Sequence, residues 1–154
     1  MKIKPMTLLL ADDDPDDRLL AEQALSKSRQ PNDLRWVEDG EELLDYLRRR
    51  GKYTDPQDSP RPGLILLDLN MPRKDGREAL RELKSDPKLR DIPVVVLTTS
   101  RSEDDVARAY HLGVNSYIIK PVKFSSLVQI MKTIAKYWFG IVELPGQRPA
   151  DRHG

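Results

Sequence analysis

The sequence predicts a three-layer α/β domain, a parallel sheet doubly wound by helices on both faces. Short runs of branched apolar residues alternate with segments of helical periodicity, five of each along the chain. Strands separated by helices pair in parallel through right-handed crossovers. Two of the runs, Leu64-Ile65-Leu66-Leu67 and Ile92-Pro93-Val94-Val95-Val96-Leu97, lack any polar alternation, as strands buried on both faces do. All strand C-termini then share one edge, and open α/β sheets bind ligands at that edge.

The bulk numbers bound the rest. A chain of 154 residues fits one domain with a real core. Lys and Arg total 26 against 25 Asp and Glu, a formal charge of +1, so no field collects nucleic acid or anionic lipid. The absence of cysteine excludes disulfides and thiolate metal sites and is compatible with a reducing cytoplasm. Met1 to Met6 has two lysines but no apolar stretch of signal type, and no apolar run approaches membrane-spanning length, so a soluble cytoplasmic protein is expected. The domain is expected over residues 1–144, with a disordered tail at 145–154, where Pro, Gly, Arg and polar residues dominate.

In chain order, Thr7-Leu8-Leu9-Leu10-Ala11 is the first strand and ends in Asp12-Asp13-Asp14-Pro15-Asp16-Asp17. Asp14 as N-cap, Pro15 at N1 and acids in the first turn start a helix that continues through Leu19, Leu20, Ala24 and Leu25. Capping covers Asp14, Asp16 and Asp17 but leaves Asp12 and Asp13 at the strand end without a structural task. Leu34 to Val37 reads as an edge strand, and Glu41 to Arg50 as a helix with Leu43, Leu44 and Leu47 inward, a solvated Arg48-Arg49-Arg50 end and Gly51 as its C′ residue. Lys52 to Gly63, with three prolines, is expected to be an extended surface loop.

The central strand, Leu64 to Leu67, delivers Asp68 to the carboxyl edge, and Asn70-Met71-Pro72 to Gly76 turns the chain into a helix with Ala79, Leu80 and Leu83 inward. The Ile92 to Leu97 strand ends in Thr98, Thr99 and Ser100. Ser102 with Asp105 resembles a capping box for the next helix, which Gly113 stops. The fifth strand, Ser116 to Ile119, ends in Lys120-Pro121. The last helix begins near Phe124 with two apolar stripes, one through Phe124, Leu127, Met131, Ile134 and Trp138, the other through Val128, Ala135, Phe139 and Val142. One stripe suffices for a core. The second, with Tyr137-Trp138-Phe139, leaves aromatic surface that argues for a homodimer through this helix.

If the first, third, fourth and fifth strands are neighbours, Asp12, Asp13, Asp68, Thr98 and Lys120 converge on one crevice. Two carboxylates about 4 Å apart repel by about 1 kcal/mol in water and about 4 kcal/mol at an effective dielectric of 20, so the cluster calls for a cation. Lys120 supplies one charge. Carboxylates without histidine or thiol point to Mg²⁺ or Mn²⁺ for the rest, ions that keep open positions for phosphoryl oxygens. Thr98 and Lys120 would bind the same phosphoryl group, leaving Asp68 as nucleophile.

Asp12-Asp13, Asp68-Leu69-Asn70-Met71-Pro72, Thr98 and Tyr117-Ile118-Ile119-Lys120-Pro121 resemble the receiver domain of two-component response regulators over about Thr7 to Lys136. The resemblance implies a flavodoxin-like sheet of order 2-1-3-4-5, Asp68 as phosphoacceptor and a sensor histidine kinase whose phosphohistidine is the donor. It implies Mg²⁺ held by Asp13 and Asp68, by the Asn70 backbone carbonyl and by Asp12 partly through water. It also implies Lys120 on the phosphoryl oxygens, a cis bond before Pro121, and Thr98 with Tyr117 as the switch. No DNA-binding domain is expected after the receiver. The long Lys52 to Gly63 loop and the aromatic Tyr137-Trp138-Phe139 segment are similar to the single-domain regulators that serve phytochrome-type kinases. Thr99 and Lys123 depart from that pattern without removing a phosphorylation residue. The competing readings are a degenerate receiver acting as a dimeric binding module and an aspartate-nucleophile phosphatase. The latter needs a second aspartate two residues after Asp68, where this chain has Asn70.

Overall fold

The computed structural model describes residues 6–27 and 32–140. Five strands, β1 (Met6–Ala11), β2 (Asn32–Val37), β3 (Leu64–Leu67), β4 (Val94–Thr98) and β5 (Ser116–Ile119), form one parallel sheet of order β2-β1-β3-β4-β5. The helices are α1 (Pro15–Ser26), α2 (Gly40–Arg48), α3 (Gly76–Ser85), α4 (Glu103–Leu112) and α5 (Phe124–Gly140). The expected fold class and strand order hold.

Strand alternation divides the core in two. Leu9, Ile65, Leu67, Val94 and Val96 face Leu43, Leu44, Ala79, Leu80, Leu83 and Ala109 of α2, α3 and α4. Leu8, Leu10, Leu64, Leu66, Val95 and Leu97 face Leu20, Ala24, Leu127, Met131 and Ile134 of α1 and α5. Both faces of the central strands are therefore covered, which is why their sequences read as unbroken apolar runs.

Local chemistry fixes the helix ends. The Asp14 side chain accepts from Asp16 N with Pro15 at the helix start, as expected. Asp75 caps α3 by accepting from Arg77 N, and Gly113 ends α4 at φ 104°. Gly76 is required for space: a Cβ there would lie 2.3 Å from the Asp68 carbonyl oxygen, so α3 starts pressed against the segment that carries Asp68.

Several expectations are corrected. Helix α2 ends through Arg49, left-handed at φ 54°, with Gly51 two residues further on. The arginine end is solvated as expected at Arg49 and Arg50, which are exposed while Arg49 donates to the Ser59 carbonyl and Arg50 pairs with Asp45. Arg48, by contrast, is half-buried and reaches Glu82 and Asp86. The Lys52 to Gly63 loop is ordered by two 3-10 turns, by Tyr46 Oη donating to Pro60 O at 2.8 Å, and by buried Ser59 donating to Tyr53 O. Leu19 is 52% exposed because the buried face of α1 runs through Asp17, Leu20, Ala21, Ala24 and Leu25. Phe124 is 65% exposed and drops out of its stripe, whereas Leu127, Met131 and Ile134 are buried. Of the second stripe, Ala135 is buried in the domain's own core and Val128 packs against it. Residues 141–154, including Val142 and the expected tail, lie outside the described residues, as does the Phe139 side chain. No peptide bond among the described residues is cis, so Pro121 follows a trans bond, the isomer favoured by about 0.5–1 kcal/mol for X–Pro.

Candidate functional site

The backbone ladder continues one step past the strands and sets the site's positions. Asp12 N donates to Val37 O, Asp68 N to Ala11 O at 2.9 Å, and Lys120 N to Thr98 O at 2.7 Å. Asp12, Asp68 and Lys120 thus leave β1, β3 and β5 at one edge, with Thr98 as the last residue of β4.

Their side chains meet. Asp68 Oδ1 accepts from Thr98 Oγ1 at 2.8 Å and from Asn70 N at 3.0 Å, while Oδ2 lies 3.1 Å from Lys120 Nζ. Lys120 Nζ also donates to Asp12 Oδ2 at 2.9 Å and lies 2.6 Å from Asp17 Oδ2. Asp12, Asp17, Asp68 and Thr98 are buried, while Asp13 is exposed. Carboxylate oxygens of Asp12, Asp13 and Asp68 all fall within 4.8 Å of one another.

The electrostatics express a surplus of acid. Burial pushes the Asp12 carboxyl up to about 8, reinforced by the neighbouring Asp17 carboxyl and opposed by Lys120. Burial alone would lower Lys120, but Asp12, Asp17 and Asp68 outweigh it and hold the ammonium above the ordinary lysine range. One ammonium does not balance these carboxylates. The remaining donors are oxygens with one solvent-exposed member, Asp13, which suits a hard divalent cation that keeps water ligands.

A polar relay leads away from Asp68. Asn70 Nδ2 approaches Thr99 Oγ1 at 3.3 Å, and its Oδ1 accepts from Arg77 Nη2 at 3.2 Å. Arg77 binds Asp105 through two 2.7 Å hydrogen bonds, and Ser100 Oγ donates to Asp105 at 2.6 Å. Tyr117 Oη donates to Ser100 O at 3.0 Å. Arg77 pulls the Asp105 carboxyl down to about 2. Ser102 does cap α4 by accepting from Asp105 N, but the Asp105 side chain turns to Arg77 and Ser100, so the expected reciprocal box is not formed.

The structure brings Asp12, Asp13, Asp68, Asn70, Thr98 and Lys120 together and ties Tyr117 to the adjoining loop. Asp17 was missed by the sequence reading, which assigned it to the helix dipole. Its spacing to Leu20, Ala21 and Ala24 places it on the buried face of α1, a signal that was available. Trp36 is a second addition: its Nε1 donates to Asp12 O at 2.8 Å, and the Arg18 guanidinium sits 4.1 Å from its ring centre.

A doubly wound sheet with this edge defines a receiver, and the chain belongs to the response regulator receiver domain family, whose model matches residues 8–132. It is 43% identical over 141 residues to response regulator Rcp1 of Synechocystis sp., covering 92% of this chain and 94% of Rcp1. The Mn²⁺-bound crystal structure of Rcp1 superposes with a TM-score of 0.87 over 92% of this chain and 99% of that one. The phosphorylated cyanobacterial phytochrome response regulator RcpA is 46% identical, with a TM-score of 0.86 over 92% of this chain and 99% of RcpA. The protein is thus a signalling receiver related to phytochrome response regulators.

Proposed function

We propose that Asp68 takes a phosphoryl group from a phosphohistidine of a sensor histidine kinase and that this event switches the protein's conformation and association. The observation that carries the reading is the setting of the Asp68 carboxylate, with the Thr98 hydroxyl at 2.8 Å and the Lys120 ammonium at 3.1 Å. A carboxylate oxygen of Asp68 attacks phosphorus, the P–N bond breaks, and the departing imidazole nitrogen keeps the electron pair and takes a proton from solvent. Lys120 stabilises the transferring oxygens. Thr98 follows the phosphoryl group, and Tyr117, hydrogen-bonded to Ser100 O, moves with the loop.

Asp12, Asp13 and Asp68, with the Asn70 carbonyl, would hold Mg²⁺, with Mn²⁺ as a substitute; bound there, the ion offsets the charge on the transferring oxygens. The protein has no separate substrate and promotes the gain and loss of its own phosphoryl group. A phytochrome-type kinase is the proposed donor, supported by the likeness to RcpA. A net charge of +1 supports a role without direct DNA binding. A cytoplasmic setting accords with a kinase partner, and among the described residues no helix is long and apolar enough to cross a membrane.

Self-association through α5 is part of the proposal, supported by half-exposed Tyr137 stacked edge-on against Trp138 at 5.8 Å. Sedimentation before and after phosphorylation is expected to show tighter association, and a monomer in both states would remove this part. The main test is labelling with acetyl phosphate with and without Mg²⁺. Metal-dependent label lost in Asp68→Asn is expected, and an unlabelled native protein would overturn the reading.

A further inference from the structure

Asp17 is buried, yet the phosphoryl-transfer reading gives it no task. It stands on the first turn of α1, 3% exposed, with Oδ2 at 2.6 Å from Lys120 Nζ. That oxygen accepts no aligned hydrogen bond, and Lys120 is the one cation in ion-pair reach of Asp17 among the described residues. A buried carboxylate whose only counter-charge is one ammonium is strongly destabilised if that ammonium leaves. The pair therefore constrains Lys120 as much as it serves Asp17.

The other two partners of Lys120 have competing duties. Asp12 and Asp68 both belong to the carboxylate group able to hold a cation, whereas Asp17 does not. Asp68 also loses its free carboxylate once a phosphoryl group is attached. A lysine side chain has four flexible carbon–carbon links and much rotamer freedom, so an ammonium without a constant partner is poorly placed. Asp17 is the partner that stands outside the cation-holding group and takes no phosphoryl group, so its contact with Lys120 is not exchanged.

We infer that Asp17 is a positioning residue that tethers the Lys120 ammonium at the phosphoryl site, so that Lys120 stays in place while Asp12 and Asp68 exchange their contacts. The inference rests on Asp68 being the phosphoacceptor. It also explains why an acid occupies the apolar face of α1 beside Leu20, Ala21 and Ala24.

The test has two arms on the full chain. In the first, ¹⁵N-lysine labelling observes the Lys120 ammonium directly, assigned by its disappearance in Lys120→Arg. A signal protected from exchange in the native protein is expected to broaden away in Asp17→Asn, with Asp17→Ser as a second variant should the first fold poorly. In the second, the rate of labelling by acetyl phosphate at saturating Mg²⁺ is expected to fall about tenfold in the same variants. Leu20→Ala, which trims the same buried helix face, is the structural control and is expected to keep both the signal and the rate.

An ammonium signal unchanged by removal of the Asp17 charge would overturn the tether. So would an unchanged labelling rate, or an equal slowing in Leu20→Ala. If the native protein takes no label, the phosphoacceptor reading fails by itself, and the ammonium signal alone decides whether Asp17 holds Lys120.

Discussion

Thr98 Oγ1 donates a 2.8 Å hydrogen bond to Asp68 Oδ1 across the ends of neighbouring strands β4 and β3. The same hydroxyl is fully buried and lies two residues from Ser100, whose carbonyl accepts from Tyr117 Oη. A change at Asp68 thus has a short route to an aromatic side chain at the rim of the domain.

Thr98→Val keeps the shape of Thr98 and removes its donor. The protein is expected to lose about 1 kcal/mol of stability, to accept label from acetyl phosphate, and to lose the shift of the Tyr117 ring resonances that labelling causes in the native protein. Thr98→Ser should retain that shift. Equal shifts in the native protein and Thr98→Val would place the coupling elsewhere.

The carboxylate surplus predicts how the site responds to metal. Mg²⁺ or Mn²⁺ should raise the unfolding temperature, and Asp13→Asn should weaken metal binding about tenfold or more without lowering metal-free stability. Trp36 offers the readout, because its indole donates to the Asp12 carbonyl. Its fluorescence is expected to change on metal addition, and the response should vanish in Trp36→Phe. A metal-free Asp13→Asn protein clearly less stable than the native one would contradict the charge argument.

Gly76 owes its place to packing. Its added Cβ would come within 2.7 Å of Leu69 Cα as well as against the Asp68 carbonyl, both backbone atoms that cannot swing away. Gly76→Ala is expected to cost about 3 kcal/mol in chemical denaturation and to slow labelling by displacing Asp68. A cost within about 0.5 kcal/mol, the usual surface range, would show that the segment yields easily.

The Arg77–Asp105 pair predicts a pH dependence. Asp105 is held down to about 2 by Arg77, below the ordinary aspartate range, so the folded state binds its proton less tightly than the unfolded chain. The pair's contribution is complete above pH 4 and is lost as pH falls through 2. Because the Arg77 side chain is 39% exposed, screening reduces that contribution to about 1 kcal/mol. Urea denaturation between pH 2 and 6 should show a shallower loss of stability toward acid in Asp105→Asn than in the native protein, and parallel curves would argue against the pair.

Much of this site was legible because each residue follows an apolar run. Asp12, Asp68 and Lys120 could be placed by where β1, β3 and β5 stop, and Thr98 by its position at the end of β4, without knowledge of contacts. The strand order came from resemblance, since periodicity does not say which strands adjoin. Asp17 was hidden because an acid in a first helical turn has a sufficient local explanation in the dipole. The Asp105 side chain was misread for a similar reason: the local capping pattern competes with Arg77 from another helix, and the charged bidentate contact wins. The ordered Lys52 to Gly63 loop depends on Tyr46 and Ser59, whose partners are distant enough in sequence to leave no local signal.

The most direct test of the central claim is chemical mapping of the modified residue. Borohydride reduces an aspartyl phosphate to homoserine, which peptide mass spectrometry can place on the chain. After treatment with acetyl phosphate and Mg²⁺, homoserine is expected at position 68 alone. Homoserine at Asp12 or Asp13, or none in a protein that has taken up metal, would contradict the account.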